Sequence, residues 1–164
     1  MQIEPRIVAR AGQPYVAVRR QVTMDTIATA ADLIPGLFGW LAARGIPPAG
    51  APFLKYNVID MARRLEVEAG VPVAAPVDGD DEVLAGTLPA GRYVSVVYLG
   101  HPDGLLDATA ALLAWAAGQG LRWDVTGTDE GDRWGCRLEI YHTNPAEVPD
   151  PDEWETELAF RLAG

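Results

Sequence analysis

The sequence predicts an α+β fold built from a duplicated strand–helix–strand–strand unit. Two stretches of helical apolar spacing are each followed by strand-like runs, and the residues around the two helices resemble each other. Residues 37–46 align with residues 112–121, so that Trp40 matches Trp115. Two such units can pair edge to edge into one antiparallel sheet with both helices on one face. This architecture leaves a central ligand groove between the helices.

The first half opens with two extended segments, of which the second contains the β-branched and aromatic residues typical of a strand. From Thr26 to Arg44, apolar residues recur every three or four positions, which predicts a helix, and Pro35 predicts a break within it. The predicted strands of this half are 3–9, 14–20, 53–58 and 64–68.

The second half repeats this order around its own helix, Leu105 to Gln119, whose predicted buried face includes Leu106, Thr109 and Leu113. Because Leu65-Glu66-Val67 matches Leu138-Glu139-Ile140, Glu66 is the predicted repeat partner of Glu139. The predicted strands of this half are 83–88, 92–98, 121–126, 134–142 and 156–162.

Length and composition predict a single domain, residues 1–164, made of two repeats of about 1–75 and 83–164. The formal net charge of −10 opposes direct binding to nucleic acid and favours cationic small molecules. The single cysteine, Cys136, excludes an internal disulfide and a multi-thiolate metal site.

We expect no cofactor and no metal, because His101 and His142 lack the spacing of a ligand cluster. The N-terminus has no secretory signal pattern, and no apolar run is long enough to span a bilayer. These features predict a soluble, cytoplasmic protein without a membrane partner.

Glu139 is the candidate functional residue. It lies in an alternating strand pattern, and the only charge beside it on the same face is Arg137. A strand carboxylate usually faces water. If helices cover this face, desolvation disfavours the charged form, and the carboxylate requires a hydrogen bond, Arg137 or a ligand.

Aromatic residues are available to line the groove around Glu139. For Trp115 the core and the groove are equal alternatives, whereas Tyr141 and Trp154 favour the groove because they are close to Glu139 in the sequence. The predicted ligand-binding residues are Glu139, Tyr141, Trp154, Tyr56, Tyr98, Trp40, Trp115 and Phe38.

The sequence resembles the GyrI-like small-molecule-binding domain, also called the bacterial transcription activator effector-binding domain. The resemblance rests on the tandem repeat, on the segments 86–93 and 138–141, and on the ending 144–158. It implies two tandem β-α-β-β modules around a hydrophobic cavity with aromatic walls. It also implies that a glutamate at the position of Glu139 neutralises lipophilic cations. Relatives are often fused to a DNA-binding helix-turn-helix segment, which we do not expect here because the first predicted strand begins close to Met1.

The first functional hypothesis is therefore a stand-alone, multidrug-type binding protein for hydrophobic, aromatic or cationic compounds. The second, implied by other relatives, is a hydrolase that opens the strained cyclopropane rings of DNA-alkylating natural products. In that enzyme Glu139 is the general base, and either Tyr98 or Tyr141 assists at the developing oxyanion.

A third hypothesis is a protein-binding role like that of relatives that protect gyrase, through the acidic segment 78–82. A homodimer and a separate DNA-binding partner are further partner hypotheses. The sequence does not choose between the assisting tyrosines, and it does not identify the ligand.

Overall fold

The computed structural model describes residues 3–164, which form a curled antiparallel sheet with helices on one face. Met1 and Gln2, the start of the predicted first repeat, lie outside the described residues. The described strands are β1 (Arg6–Arg10), β2 (Gln13–Val22), β3 (Phe53–Asp60), β4 (Arg64–Pro72), β5 (Leu84–Leu88), β6 (Gly91–Leu99), β7 (Val125–Thr128), β8 (Gly131–Trp134), β9 (Arg137–Tyr141) and β10 (Glu155–Arg161). The described α-helices are α1 (Ala28–Ala31), α2 (Ile34–Ala43) and α3 (Leu105–Gly118), and short 3₁₀ helices span Pro102–Gly104 and Pro151–Glu153.

The predicted fold class is confirmed. The strand order is β1-β6-β10-β9-β3-β4-β2-β5, so that β2, α2, β3 and β4 form one module and β6, α3, β9 and β10 form the other. The modules join through antiparallel pairing of β3 with β9, in which Leu54 lies opposite Glu139. The two modules therefore share one continuous sheet, and the centre of that sheet is their junction.

The β3–β9 register corrects the predicted repeat alignment. Pairing is symmetric about Leu54 and Glu139, since Phe53 pairs with Ile140 and Lys55 pairs with Leu138. Exchanging the modules therefore exchanges Leu54 with Glu139. The alignment of Glu66 with Glu139 was wrong, because the second module inserts the β7–β8 hairpin between α3 and β9 and shifts the spacing.

The core is divided between the two faces of the sheet. On the helix face, α2 packs on its own module through Leu37 and Leu41, and α3 packs on its module through Ala108 and Leu112. A third cluster, which includes Tyr15, Phe53, Tyr93 and Leu138, covers the opposite face. Because each helix covers mainly its own half of the sheet, the junction between the halves is left for the site.

One predicted feature of the helices and strands is confirmed, and two differ from the structure. The predicted break at Pro35 is confirmed, because α1 ends at Ala31 and α2 begins at Ile34 with the proline in its first turn. The predicted strand 134–142 is two strands, interrupted at Gly135 and Cys136. The buried face of α3 is rotated from the predicted one, since Leu106 is 59% exposed while Leu112 is fully buried.

Candidate functional site: an apolar cavity at the module junction

A cavity of about 1240 Å³ lies over the junction, between the N-terminal ends of the two helical segments. Its walls come from α1, α2 and α3, its floor from β3 and β9, and one rim from the segment 142–145. Most of its lining is apolar. The apolar residues include Met24, Ile27, Ile34, Phe38, Leu54, Ile59, Met61, Leu65, Leu105, Leu106 and Phe160.

The pleat of β9 determines which of its side chains enter the cavity. Arg137, Glu139 and Tyr141 point to the helix face and line the cavity, whereas Leu138 packs in the cluster on the opposite face. Glu139 is half-buried and lines the cavity. The covered position was one of the two alternatives left by the sequence.

Two phenols approach the Glu139 carboxylate, one from each module. The Tyr141 hydroxyl donates to Oε1 at 2.6 Å, and the Tyr56 hydroxyl donates to Oε2 at 3.3 Å. Tyr56 and Tyr141 are equivalent in the two modules, because each lies two residues after the symmetric pair Leu54 and Glu139. The two phenols supply part of the hydrogen bonding that the carboxylate requires, but they supply no opposite charge.

Burial raises the pKa of Glu139 above its ordinary value, and the hydrogen bonds from Tyr141 and Tyr56 and the charge of Arg137 offset this only in part. Burial and the nearby carboxylate raise the pKa of both tyrosines well above the usual value, so each phenol keeps its proton. The floor of the cavity therefore holds a poorly solvated carboxyl group between two neutral donors.

Arg137 is the second ionisable group in the cavity. Its guanidinium carbon lies 4.4 Å from the ring centre of Phe160 and 4.8 Å from that of Trp134. Burial lowers the pKa of Arg137 to about 10, with Tyr56 and Glu139 acting in the opposite direction, so the side chain stays protonated at neutral pH. The sequence placed Arg137 beside Glu139, but we did not predict it as a site residue.

The cavity brings together five of the predicted ligand-binding residues: Glu139, Tyr141, Tyr56, Phe38 and Trp154. The Trp154 indole N–H donates to the carbonyl of Val148 at 2.7 Å, which holds the ring against the loop that follows β9. His142, not included among the candidates, also lies on the rim, and its Nε2 is 2.8 Å from Oε1 of Glu157.

Three predicted ligand-binding residues lie outside the cavity lining. Trp115 packs against the α3 side of the core, which was the alternative to the groove. The Tyr98 hydroxyl donates to the carbonyl of His101 at 2.8 Å. Trp40 donates its indole N–H to Asp80 at 2.8 Å. Each ring is used by the fold, so we do not include these three residues in the proposed site.

Trp40 organises the acidic segment 78–82, for which a protein-binding role was considered. The Trp40 hydrogen bond, followed by the backbone N–H groups of Val83 and Glu82, lowers the pKa of Asp80 to about 2. At least one charge of the segment therefore stabilises the loop itself. Gyrase binding remains a prediction.

The lining also includes residues that were predicted to pack elsewhere or had no predicted role in the site. Leu106 and Thr109 were predicted to form the buried face of α3, but they face the cavity. Met61, 55% exposed, lies at the mouth. An apolar spacing pattern does not distinguish a side chain that packs on a sheet from one that faces an open cavity, so these residues gave no separate signal.

The sequence profile of the GyrI-like small molecule binding domain matches residues 3–163, and the chain therefore belongs to this family. The fold and the cavity described above agree with a small-molecule-binding domain. No curated protein matches the chain. Within residues 3–164, the helices are too short or too polar to cross a membrane.

Solved structures share the fold at low sequence identity. The C-terminal domain of EcmrR is 18% identical, with a TM-score of 0.75 and coverage of 99% of each chain. In a complex of EcmrR with DNA, the TM-score is 0.78, and the match spans 98% of this chain but only 57% of that one.

Two further structures share the fold, one with a bound ligand and one a hydrolase. SAV2435, solved with bound tetraphenylphosphonium, is 11% identical with a TM-score of 0.62, and the match covers 98% of this chain and 94% of that one. A protein from Listeria innocua described as a hydrolase is 12% identical with a TM-score of 0.58, covering 98% and 92% of the two chains. At these identities the likeness establishes the fold alone.

Proposed function

We propose that this domain binds hydrophobic, aromatic cations in the junction cavity, with Glu139 as the counter-charge. The observation that carries the proposal is a carboxyl group on the floor of an apolar cavity, held by two phenols and lacking a cation within ion-pair distance among residues 3–164. Binding of a delocalised cation offsets the free-energy cost of removing this carboxylate from water, because opposite charges attract strongly where water is scarce.

The walls support the same class of ligand. Phe38, Tyr56, Tyr141 and Trp154 present aromatic rings to the cavity, and electron-rich rings attract cations through their faces. The formal net charge of −10 raises the local concentration of cations around the protein. SAV2435, which shares the fold, was solved with the lipophilic cation tetraphenylphosphonium.

The test is a titration of tetraphenylphosphonium into the wild type and into Glu139→Gln, followed by tryptophan fluorescence. We expect Glu139→Gln to bind roughly tenfold more weakly or worse, the loss that accompanies removal of a charge-assisted contact. Glu66→Gln is the matched control, since Glu66 lies outside the cavity lining on the opposite face of the sheet. Equal affinity of all three proteins would exclude Glu139 as the counter-charge.

A second candidate function, hydrolysis of a strained cyclopropane ring, is favoured by one specific contact. The Tyr141 hydroxyl is 2.6 Å from the Glu139 carboxylate inside the cavity, where burial raises the pKa of Glu139 and so makes the carboxylate a stronger base. Glu139 would take a proton from a water molecule as the water oxygen bonds to a ring carbon. The strained carbon–carbon bond would break, and Tyr141 would donate to the substrate oxygen that receives its electron pair. The assisting residue is then Tyr141, because the Tyr98 hydroxyl is bonded to His101 outside the lining.

Incubation with a cyclopropane-containing alkylating natural product, followed by chromatography for the ring-opened product, tests this activity. Turnover should fall about a hundredfold in Glu139→Gln and in Tyr141→Phe, within the range of general acid–base contributions. Tyr98→Phe should retain full turnover. Wild-type conversion no faster than in buffer would reject the enzyme and leave the binding proposal standing.

A further inference from the structure

Arg137 presents an unpaired guanidinium to the cavity. Its guanidinium carbon lies over the rings of Phe160 and Trp134, 4.4 and 4.8 Å from their centres, and is 6.0 Å from the ring centre of Tyr56. Within residues 3–164 the side chain makes no hydrogen bond and has no carboxylate within 4.0 Å. Among these residues every fully enclosed side-chain nitrogen or oxygen has a partner, so the unbonded Arg137 nitrogens must reach open space. That space is the cavity that Arg137 lines.

The other partly buried cationic side chains of the sheet form hydrogen bonds or ion pairs with side chains of the protein itself. Arg10 bonds to Glu157, Lys55 bonds to Asn57, and Arg161 bonds to Asp124 at 2.8 Å. The chain has 23 acidic residues against 13 lysines and arginines, so carboxylates to pair with Arg137 are abundant. Glu139 and Asp132 act on Arg137 only from beyond ion-pair distance. A partly buried charge without a contacting partner is costly, so a carboxylate on the ligand would lower the free energy of this site.

Arg137 and Glu139 place a positive and a negative group on the floor of the same cavity. They are two residues apart on β9 and face the same side, which separates their positions by about 7 Å along the strand. A guanidinium has a planar fork of donors that matches a carboxylate, and contact with two aromatic rings restricts where that fork can lie. Glu139 provides the opposite pole, with its phenols on either side.

We propose that the ligand is amphoteric: an aromatic compound whose cationic part faces Glu139 and whose carboxylate is bound by Arg137. This inference rests on the proposed function, because it assigns the class of ligand to the same cavity. It predicts that a zwitterion binds more tightly than a simple lipophilic cation, whose affinity the charge of Arg137 lowers without abolishing it.

The test compares two dyes that differ in one ionisable group: rhodamine B, a zwitterion at neutral pH, and its ethyl ester, a cation. Affinities are measured by fluorescence anisotropy for the wild type, Arg137→Gln, Arg137→Lys and Glu139→Gln. Arg133→Gln, which removes the same charge from an exposed position outside the lining, is the control. We expect the wild type and Arg133→Gln to bind the acid about tenfold more tightly than the ester.

Arg137→Gln should bring the ratio of the two affinities close to one, and Arg137→Lys should leave an intermediate ratio, because lysine keeps the charge without the fork. Equal wild-type affinities, tighter binding of the ester, or a ratio that Arg137→Gln does not change would overturn the inference. The wild-type ratio decides the question even if Arg137→Gln fails to fold.

The two proposals fail differently. If the ester binds and Glu139→Gln weakens it, but the acid has no advantage, the cation site stands and the carboxylate site at Arg137 does not. If neither dye nor tetraphenylphosphonium binds the wild type, both proposals are rejected.

Discussion

Two inward-facing carboxylates of the central strands have opposite surroundings. Glu68, on β4 and only 2% exposed, accepts hydrogen bonds from Tyr15 at 2.6 Å and Asn57 at 2.5 Å on the face away from the helices. Lys55 and Arg19 lie within 3.6 Å and 3.5 Å of the same group. Glu139, on the helix face, has two phenols and no cation in contact among the described residues.

The difference appears in the pKa values. Burial alone would raise the pKa of Glu68, but the charge of Lys55, the hydrogen bonds from Tyr15 and Asn57, and the charge of Arg19 lower it below the ordinary 4.5. For Glu139 burial prevails, and the pKa rises.

The second module has a carboxylate with similar surroundings to Glu68. This residue is Glu157, whose side chain is hydrogen-bonded to Arg10, Ser95 and His142. A carboxylate that is neutralised by cations of its own chain stabilises the fold, whereas a carboxylate that has only neutral hydrogen-bond donors is available to a ligand.

The largest expected effect is on stability at Glu68. Glu68→Gln should lower the free energy of unfolding by about 3 kcal/mol, because Lys55 would lose its buried counter-charge. Urea denaturation at neutral pH measures this, with Glu66→Gln on the same strand as the control. Because the pKa of Glu68 is lowered, its contribution is present above pH 4.5 and is lost as the pH falls through the lowered value, so the difference should shrink in acid. A loss below about 0.5 kcal/mol would place Glu68 with ordinary surface residues.

The pH dependence of cation binding is the second test that distinguishes Glu139, as a ligand-binding carboxylate, from Glu68. Tetraphenylphosphonium does not titrate, so its affinity should follow the ionisation of Glu139 and fall by up to about tenfold per pH unit, or 1.4 kcal/mol, below the pKa of that group. Because burial raises this pKa, the fall should begin at a higher pH than for an exposed glutamate. A titration with the same midpoint in Glu139→Gln would assign the effect to another group.

A smaller effect, of opposite sign to that at Glu68, is expected on the stability of Glu139→Gln without ligand. A carboxyl with a raised pKa is disfavoured in its charged form by folding, so the wild type loses stability as the pH rises through the raised value. Replacement by a neutral amide should increase the free energy of unfolding by on the order of 1 kcal/mol at neutral pH, the usual sign of a site that trades stability for function. Thermal unfolding at pH 4 and pH 7 checks this, since the gain should diminish in acid. A destabilised variant would give Glu139 a structural role like that of Glu68.

The smallest effect concerns Trp40, which is aromatic but lies outside the cavity lining. Trp40→Phe should change the affinity for tetraphenylphosphonium by less than about twofold, or 0.4 kcal/mol, while loosening the acidic segment held through Asp80. Isothermal titration calorimetry measures the affinity, and Phe38→Ala, which removes a lining ring, is the positive control. An equal loss in both variants would extend the site to the outer side of α2.

The sequence by itself determined the fold class and the position of Glu139 in a strand, and it supplied aromatic residues as candidates for the same groove. Strand alternation and helical periodicity are local, so they can be read without knowing which elements meet. The helix boundaries, including the break at Pro35, follow from the same local chemistry.

The tertiary structure decided which residues share a site. Only the β3–β9 register places Tyr56 beside Tyr141 at Glu139 and replaces Glu66 with Leu54 as the partner of Glu139 across the symmetric junction. The same packing assigned Trp40, Tyr98 and Trp115 to the fold, and left Arg137 unpaired in the cavity. These outcomes depend on contacts between residues distant in the chain, and on how far each helix covers the sheet, neither of which a local pattern encodes.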